Sequence, residues 1–291
     1  MFTLVLSCIA LAAGAAADRT LTVYNGTPAG TFFLSFHQMF TGQGNAPDYT
    51  TGWQANAYTS VTFSVPSDWT AGRIWGRRDC DFSTGSTAAT TCLSGGCIGG
   101  LVCSKTDGTG VPPVTLAEFT LNSGGKDYYD VSLVDGYNLP MRQAFRYFFT
   151  SLLLMITSIT NNVGCGEADC PVDLGPNCPA PLKGPYDNTG YPIGCKSACE
   201  ANLDGNPSNS PNCCTGQYAT QATCPSSGVA YYSYFKSNCP NSYCYAYDES
   251  SGTALWTCDA SLAAHYTVTF CPHRLEHWSD KPSFKGKSRA R

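Results

Sequence analysis

The chain has 291 residues, a formal net charge of −4 and 43% hydrophobic residues, which is enough for the core of one large or two ordinary domains. Its basic residues do not form the aromatic-interleaved patches that are typical of nucleic-acid binding, so that class of partner is excluded. The 17 cysteines are more than a reducing compartment usually favours and indicate a disulfide-bonded protein.

The N-terminal segment has the pattern of a signal peptide. An apolar stretch over 4–13 is followed by the small residues Ala15, Ala16 and Ala17, although only the start amine supplies positive charge. A membrane anchor would need about 20 apolar residues, and this run is shorter. We therefore expect residues 1–17 to be removed together with Cys8, leaving an even number of cysteines in a secreted extracellular or cell-wall protein without a stable membrane anchor.

The first half of the chain predicts β-strands. Apolar and polar residues alternate in four short runs, which turn-forming clusters such as Asn25-Gly26 separate. Many short strands at this spacing predict a sandwich or a barrel. The four runs are Leu21-Thr-Val-Tyr24, Val61-Thr-Phe-Ser-Val65, Arg73-Ile-Trp75 and Ala117-Glu-Phe-Thr-Leu121.

Between Cys165 and Cys244 the chain is rich in cysteine, proline, glycine and asparagine and has almost no apolar run. This composition predicts loops held by disulfides. Cys195 and Cys199 are four residues apart, so they would share one face of a short helix through Ala201 and could be bridged to different loops.

The C-terminal segment, 273–291, has six Lys or Arg residues and two acidic residues. Its composition predicts a basic, disordered tail outside the folded part.

Several motifs in a fixed order carry a family resemblance. Cys80, Cys92, Cys97 and Cys103 precede Thr115-Leu-Ala-Glu-Phe119 and Tyr129-Asp-Val-Ser-Leu-Val-Asp-Gly-Tyr-Asn-Leu-Pro-Met141. Gly76-Arg-Arg-Asp-Cys80, Val163-Gly-Cys-Gly166, Cys213-Cys214, Tyr232-Ser-Tyr-Phe-Lys236 with Cys239-Pro240, and Thr267-Val-Thr-Phe-Cys-Pro272 complete the set. From about Arg19 to Pro272 the chain resembles the thaumatin-like family.

The resemblance implies a mainly β fold with three domains and an acidic cleft between the first two. A thaumatin-like antiparallel β-sandwich would comprise 18–77, 114–171 and 240–272. A disulfide-rich domain with a short helix would cover 172–239, and a small disulfide loop domain 78–113.

The resemblance also implies seven disulfides and leaves two cysteines over. Thr27 stands where the family has its first cysteine, so Cys271 lacks its expected partner, and Cys244 is an additional cysteine. We hypothesise that Cys244 and Cys271 bridge to each other, with two free thiols as the alternative. The implied pairs are Cys80–Cys92, Cys97–Cys103, Cys165–Cys258, Cys170–Cys239, Cys178–Cys195, Cys199–Cys213 and Cys214–Cys224.

Two segments depart from the family pattern. Residues 142–158 intervene between Met141 and Ile159-Thr-Asn-Asn-Val-Gly, which would otherwise follow at family-like spacing. We interpret this anomalous insertion as a translated intron or a wrongly predicted exon boundary, with a genuine surface helix as the alternative. Residues 28–43 replace the short strand that the family has there, and they could reflect a similar error.

The family's cleft positions carry over to five residues whose type is kept: Arg73, Glu118, Asp130, Asp135 and Asp248. Alternation directs Glu118 away from the face that buries Ala117 and Phe119. Several carboxyls in one cleft suit glycoside hydrolysis, because one acid protonates the leaving oxygen while another acts as nucleophile or directs water. Clustering also raises the proton affinity of at least one acid.

The resemblance therefore implies a monomeric protein that binds β-1,3-glucan of a cell wall. As a weak endo-β-1,3-glucanase it would use Glu118 as the acid and Asp135 as its partner, with Arg73 holding a neighbouring carboxylate ionised. The alternative is a defence or wall-remodelling protein that binds without cutting, in which Arg73 and Asp130 form only an ion pair between domains.

No cofactor or metal is expected. The four histidines share no metal-binding spacing, and Cys195 with Cys199 in a secreted chain is typical of cystine. Tyr231, Tyr232 and Tyr234 with Phe235 could stack on sugar rings near the cleft, although packing between domains is their more frequent use. Asn25-Gly26-Thr27 is a glycosylation sequon, and a glycan on Asn25 would have to face solvent.

Overall fold

The computed structural model describes residues 19–26, 46–105, 110–141 and 165–271, and in addition the backbone of 32–38 and 142–146. One short α-helix, α1, covers Tyr232–Asn238. The strands are Arg19–Asn25 (β1), Phe32–Gln38 (β2), Gly52–Ala55 (β3), Ser60–Val65 (β4), Gly72–Cys80 (β5), Cys92–Ser94 (β6), Leu116–Ser123 (β7), Lys126–Ser132 (β8), Met141–Arg146 (β9), Ala168–Cys170 (β10), Trp256–Asp259 (β11) and His265–Phe270 (β12).

The strands form two sheets. The five-stranded sheet has the order β10-β9-β12-β1-β4, and within it β1 and β12 run parallel. The seven-stranded sheet has the order β11-β8-β7-β5-β2-β3, with β6 paired to β5. The other strand pairs are antiparallel. The predicted mainly β fold is confirmed, while the boundaries of the three domains stay a prediction.

The main hydrophobic core lies between the sheets. In β1, alternate residues are buried, so Leu21 and Val23 face inward. Across the core, Tyr266 of β12 packs its ring against Phe119 and Tyr129 of the other sheet, with centroids 5.4 and 5.2 Å apart. Period-two burial of apolar side chains thus fixes which face of each strand meets the core.

A buried ion pair also joins the two sheets. Arg19 Nη1 of β1 lies 2.8 Å from Asp127 Oδ2 of β8, and both side chains are almost fully buried. Tyr266 donates its hydroxyl to the same carboxylate oxygen at 2.8 Å. Because the carboxylate also accepts the amide of Asn122, each of its charged oxygens is hydrogen-bonded.

The described residues form seven disulfides, and they are the same seven pairs that the resemblance implies. The hypothesised bridge between Cys244 and Cys271 is wrong. Cys244 is a buried free thiol in the segment after α1, with its sulfur 3.6 Å from the carbonyl oxygen of Ser242. Cys271 follows β12, where its amide donates to Pro140 O.

Residues 195–201, where we predicted a short helix through Ala201, do not form a helix. Residues 198–204 form successive turns instead, and Asn202 has a left-handed backbone with φ of 49°. Cys195 is held in an extended bridge to Tyr137, which prevents it from starting a helix. Cys195 and Cys199 are nevertheless bridged to different loops, through Cys178 and Cys213.

The anomalous insertion overlaps the five-stranded sheet. Its first five residues, 142–146, continue β9 and pair with β12, while 142 and 143 also pair with β10. This backbone is extended, so the surface-helix alternative does not apply to it. Similarly, β2 forms within 28–43 and pairs with β3 and β5. The remainder of the insertion lies outside the described residues, and its origin stays a prediction.

The predicted glycan site at Asn25 does not face solvent, which a glycan there would require. Asn25 is fully buried, and its side-chain nitrogen donates to Ala55 O at 3.1 Å and to Asn56 O at 3.2 Å. A glycan on this nitrogen would replace one of its two hydrogens, so at least one of the two bonds would be lost, and the attached sugar would have to be accommodated at a buried position.

The expected signal peptide and basic tail both lie outside the described residues. Within the part of the chain that the structure covers, the single helix is too short to cross a membrane.

Candidate functional site

Three neighbouring strands of the seven-stranded sheet bring charged residues side by side. Arg73 of β5 is in register with Glu118 of β7, which is in register with Asp130 of β8. Arg73 Nε donates to Glu118 Oε1 at 2.6 Å, and both side chains are about one-fifth to one-quarter exposed, at 18% and 26%. The pairing of β7 with its two neighbours therefore produces a row of one cation and two acids.

Asp130 is the most buried acid of this row, with 8% of its surface exposed. Burial raises its pKa well above the ordinary value, and the negative charge of Glu118 adds to the rise, which Arg73 opposes. A carboxyl in this position favours its protonated form more strongly than an exposed aspartate does.

Asp135 lies on the turn after β8. Gly136, with φ of 80°, follows it, and a Cβ there would lie 2.9 Å from Cys195 O, so this turn requires glycine. The backbone of Asp135 is fixed by the bond from Val114 N to its carbonyl. Burial raises the pKa of the Asp135 carboxyl, and the charge of Arg73 opposes this rise.

One cleft, with a volume of about 480 Å³, is lined by the four charged side chains described so far: Arg73, Glu118, Asp130 and Asp135. Its walls add apolar and aromatic surface from Tyr128, Tyr243 and Leu255. Tyr128 and Asp130 are two residues apart on β8 and therefore lie on the same face of the strand, whereas Tyr243 and Leu255 come from the segment that follows α1. The cleft thus has an acidic floor on the sheet and mixed walls.

Asp248 does not line this cleft, contrary to our prediction. It is completely buried beside α1, where it accepts the hydroxyl of Tyr232 at 2.7 Å and the ammonium of Lys236 at 3.0 Å. It also accepts the amide of Cys244 at 2.9 Å. With these three donors, Asp248 holds the segment after α1 in place and is not available to a ligand.

In the segment after α1, the acid that acts at the cleft is Glu249, the exposed neighbour of Asp248. Burial raises the pKa of Asp130 and of Tyr243 in the cleft wall, and the charge of Glu249 adds to both rises. Sequence reasoning missed Glu249 and Tyr243. The period-two spacing of Tyr128 and Asp130 could have identified Tyr128, but no local pattern decides which of two adjacent acids points inward.

The tyrosines of α1, Tyr232 and Tyr234, are partly buried and pack against the core. Tyr232 bonds Asp248, and Tyr234 donates its hydroxyl to Leu174 O at 3.1 Å. None of the residues that we considered for sugar stacking lines the cleft. The tyrosines that line it are Tyr128 and Tyr243.

The arrangement suits an uncharged, hydroxyl-rich ligand. Carboxylates accept hydrogen bonds from hydroxyl groups, and tyrosine rings pack against apolar faces. Among the described residues, no three potential metal-binding side chains are grouped in a way that could hold an ion.

The fold and its disulfides define a thaumatin-type protein, and the comparison with protein families agrees. The model of the Thaumatin family matches residues 34–272, and the chain belongs to this family.

Two plant relatives show the extent of the similarity. The chain is 42% identical to pathogenesis-related thaumatin-like protein 3.5 of Cryptomeria japonica, covering 73% of this chain and 75% of the relative. It is 38% identical to thaumatin-like protein 1 of Arabidopsis thaliana, covering 82% of each.

The structure of a family 64 laminaripentaose-producing β-1,3-glucanase from Paenibacillus barengoltzii, complexed with laminarihexaose, is 12% identical with a TM-score of 0.48 over 91% of this chain and 78% of that one. At this level the last similarity carries no conclusion about function.

Proposed function

We propose that this protein binds β-1,3-glucan in the acidic cleft. The main observation in support is that Arg73, Glu118, Asp130 and Asp135 lie around one cavity. Tyrosine side chains form part of the walls of the same cavity. The acidic groups would accept hydrogen bonds from sugar hydroxyls, and Tyr128 and Tyr243 would pack against the C–H faces of the rings. The choice of β-1,3-glucan among polysaccharides rests on the family resemblance.

A second candidate function is slow hydrolysis of the bound glucan. It is favoured by the different surroundings of two carboxyls in the cleft. Glu118 is ion-paired with Arg73, whereas burial raises the pKa of Asp135. Hydrolysis needs one protonated and one ionised carboxyl, and these surroundings give Asp135 the role of the acid and Glu118 that of the carboxylate. This assignment reverses the roles predicted from the sequence.

Secretion is part of the proposal. The seven disulfides are typical of an oxidising compartment, and the apolar N-terminal stretch is the expected export signal. A wall polysaccharide would be accessible to the protein in the extracellular space.

The test is made on the secreted full chain with an insoluble linear β-1,3-glucan. Binding is measured by co-sedimentation and hydrolysis by reducing-sugar release, for the wild type, Glu118→Gln and Asp135→Asn. Asp68→Asn, on an exposed turn, is the matched control. Insoluble cellulose serves as the control polymer.

We expect the wild type to bind the glucan, both cleft variants to bind at least fivefold more weakly, and the control variant to match the wild type. Sugar release that both cleft variants lose would establish hydrolysis. Retained binding without release would leave a glucan-binding protein. Equal retention on glucan and cellulose, or none on either, would reject the proposed function.

A further inference from the structure

A second cavity, of about 300 Å³, lies next to the acidic cleft. The two spaces share Val134, Asp135 and Ala246 in their linings, so they are adjacent. The second cavity extends between the segment after α1 and the disulfide-rich loops that contain Ser197 and Thr215. We call this space the side pocket.

The side pocket has a mainly apolar wall. Phe235 of α1, Tyr245 and Val229 contribute buried side chains, and the cystine between Cys199 and Cys213 closes another side. Such a lining has little to offer a sugar hydroxyl and much to offer an apolar or aromatic group.

The polar residues in the pocket wall are already engaged within the protein. Asn212 accepts the amide of Ala230 at 2.9 Å, and Thr215 donates its hydroxyl to Pro207 O at 2.6 Å. Ser197 accepts the amide of Glu200 at 3.2 Å. The charged residue of the pocket is Asp135, which lies at its junction with the cleft.

We propose that the side pocket binds an aromatic group attached to a saccharide chain that lies in the acidic cleft. The sugar hydroxyls would meet the carboxyls of the cleft, and the ring would enter the pocket past Asp135. The ligand class is therefore an aryl-substituted glucan or oligosaccharide. For its saccharide part, this inference rests on the proposed function.

The size of the pocket supports this ligand. An apolar cavity of about 150 Å³ is sufficient for benzene, so a pocket twice as large holds a phenyl ring with a short linker. Burying the ring removes its apolar surface from water, and each 1.4 kcal/mol gained tightens binding tenfold. We expect the aryl group to tighten binding by about tenfold or more.

The experiment compares laminaritriose with its phenyl β-glycoside by calorimetry on the secreted full chain. Ala230→Leu places a larger side chain in the pocket lining, and Ala219→Leu, at an exposed position outside it, is the matched control. Thermal unfolding verifies that both variants are folded. Phenol alone is followed by amide chemical shifts at Ala198 and Ala230, compared with those of Arg73 and Glu118.

The inference predicts a tighter phenyl glycoside in the wild type and in Ala219→Leu, with the gain lost in Ala230→Leu. Laminaritriose itself should bind all three proteins equally, and phenol should shift the pocket amides selectively. If laminaritriose binds and the phenyl group adds nothing, the side-pocket inference is overturned while the proposed function stands. If neither saccharide binds, the proposed function fails, and phenol shifts at the pocket would show only an isolated aromatic site.

Discussion

The guanidinium of Arg73 and the carboxylate of Glu118 meet at 2.6 Å on adjacent strands, and the same cation acts on the two other acids of the cleft. It lowers the pKa of both Asp130 and Asp135 against the opposite effect of burial. Arg73 therefore acts on all three acids of the cleft, although burial outweighs its effect on the two aspartates.

Replacing Arg73 by Met should raise the pKa of Asp130 and of Asp135 further, because the opposing positive charge is removed. Carboxyl ¹³C NMR titration of both aspartates measures this directly. Arg73→Lys, which keeps the charge, should titrate close to the wild type. Unchanged titration in Arg73→Met would show that the cation has no influence on the two acids.

The buried Asp130 should make the protein less stable as the pH rises. Its folded pKa lies above the unfolded value of about 3.9, so the folded state binds more protons between these two values. In that window Asp130 contributes a stability loss of up to about 1.4 kcal/mol per pH unit.

Asp130→Asn should remove this contribution. The free energy of unfolding of the variant, relative to that of the wild type, should therefore increase as the pH rises from about 4. Urea denaturation at a series of pH values gives the difference between the two proteins. Asp68→Asn serves as the exposed control. A difference that does not change with pH would contradict the raised pKa.

Asn25→Ala should lower stability by about 1 to 3 kcal/mol, because the buried carbonyl oxygen of Ala55 and the partly buried one of Asn56 lose their donor. Asn188→Ala, at an exposed position, should change it by less than about 0.5 kcal/mol. Mass spectrometry of the secreted protein before and after glycosidase treatment should show no glycan on Asn25. A mass shift that Asn25→Ala abolishes would disprove this.

Cys244→Ser should reduce the number of titratable thiols in denaturant by one, because Cys244 is a free thiol. In the native wild type its modification should be slow, since the thiol is buried and burial raises its pKa. Peptide-resolved alkylation measures both quantities. An unchanged thiol count in the variant would place Cys244 in a disulfide.

Arg77 is buried, forms no ion pair with a carboxylate among the described residues, and donates to the carbonyl oxygens of Gly100 and Leu101, each at 2.7 Å. Burial lowers its pKa to about 10, so it stays charged at neutral pH. Arg77→Met should cost about 3 kcal/mol by leaving these oxygens without their donor, whereas Lys105→Met, at an exposed position, should cost little. Chemical denaturation of both variants distinguishes these outcomes.

The sequence was sufficient for four of the strands, β1, β4, β5 and β7, whose predicted runs lie inside the strands of the structure. The alternation around Glu118 and the turn at Asp135-Gly136 each depend on neighbouring residues, so they can be predicted locally. The same holds for the strand around Leu21 and Val23, whose burial alternates with a period of two.

The remaining features depend on contacts between distant parts of the chain. Asp248 and Glu249 are adjacent acids, and only the packing of α1 against Asp248 decides which one is buried. The depth of Asn25 depends on the loop at Ala55, 30 residues away. The side pocket is formed by segments that share no motif, so its existence requires the three-dimensional structure.

The parallel pairing of β1 with β12 has a consequence for biosynthesis. The amide of Thr20 donates to the imidazole of His265 across a separation of 245 residues, and the two strands form the middle of their sheet. During translation, the first strand made must therefore wait for the last one before that sheet can close, with its apolar face exposed meanwhile. A stop codon shortly before His265 would for this reason leave a chain that aggregates or is degraded, rather than a slightly shorter protein.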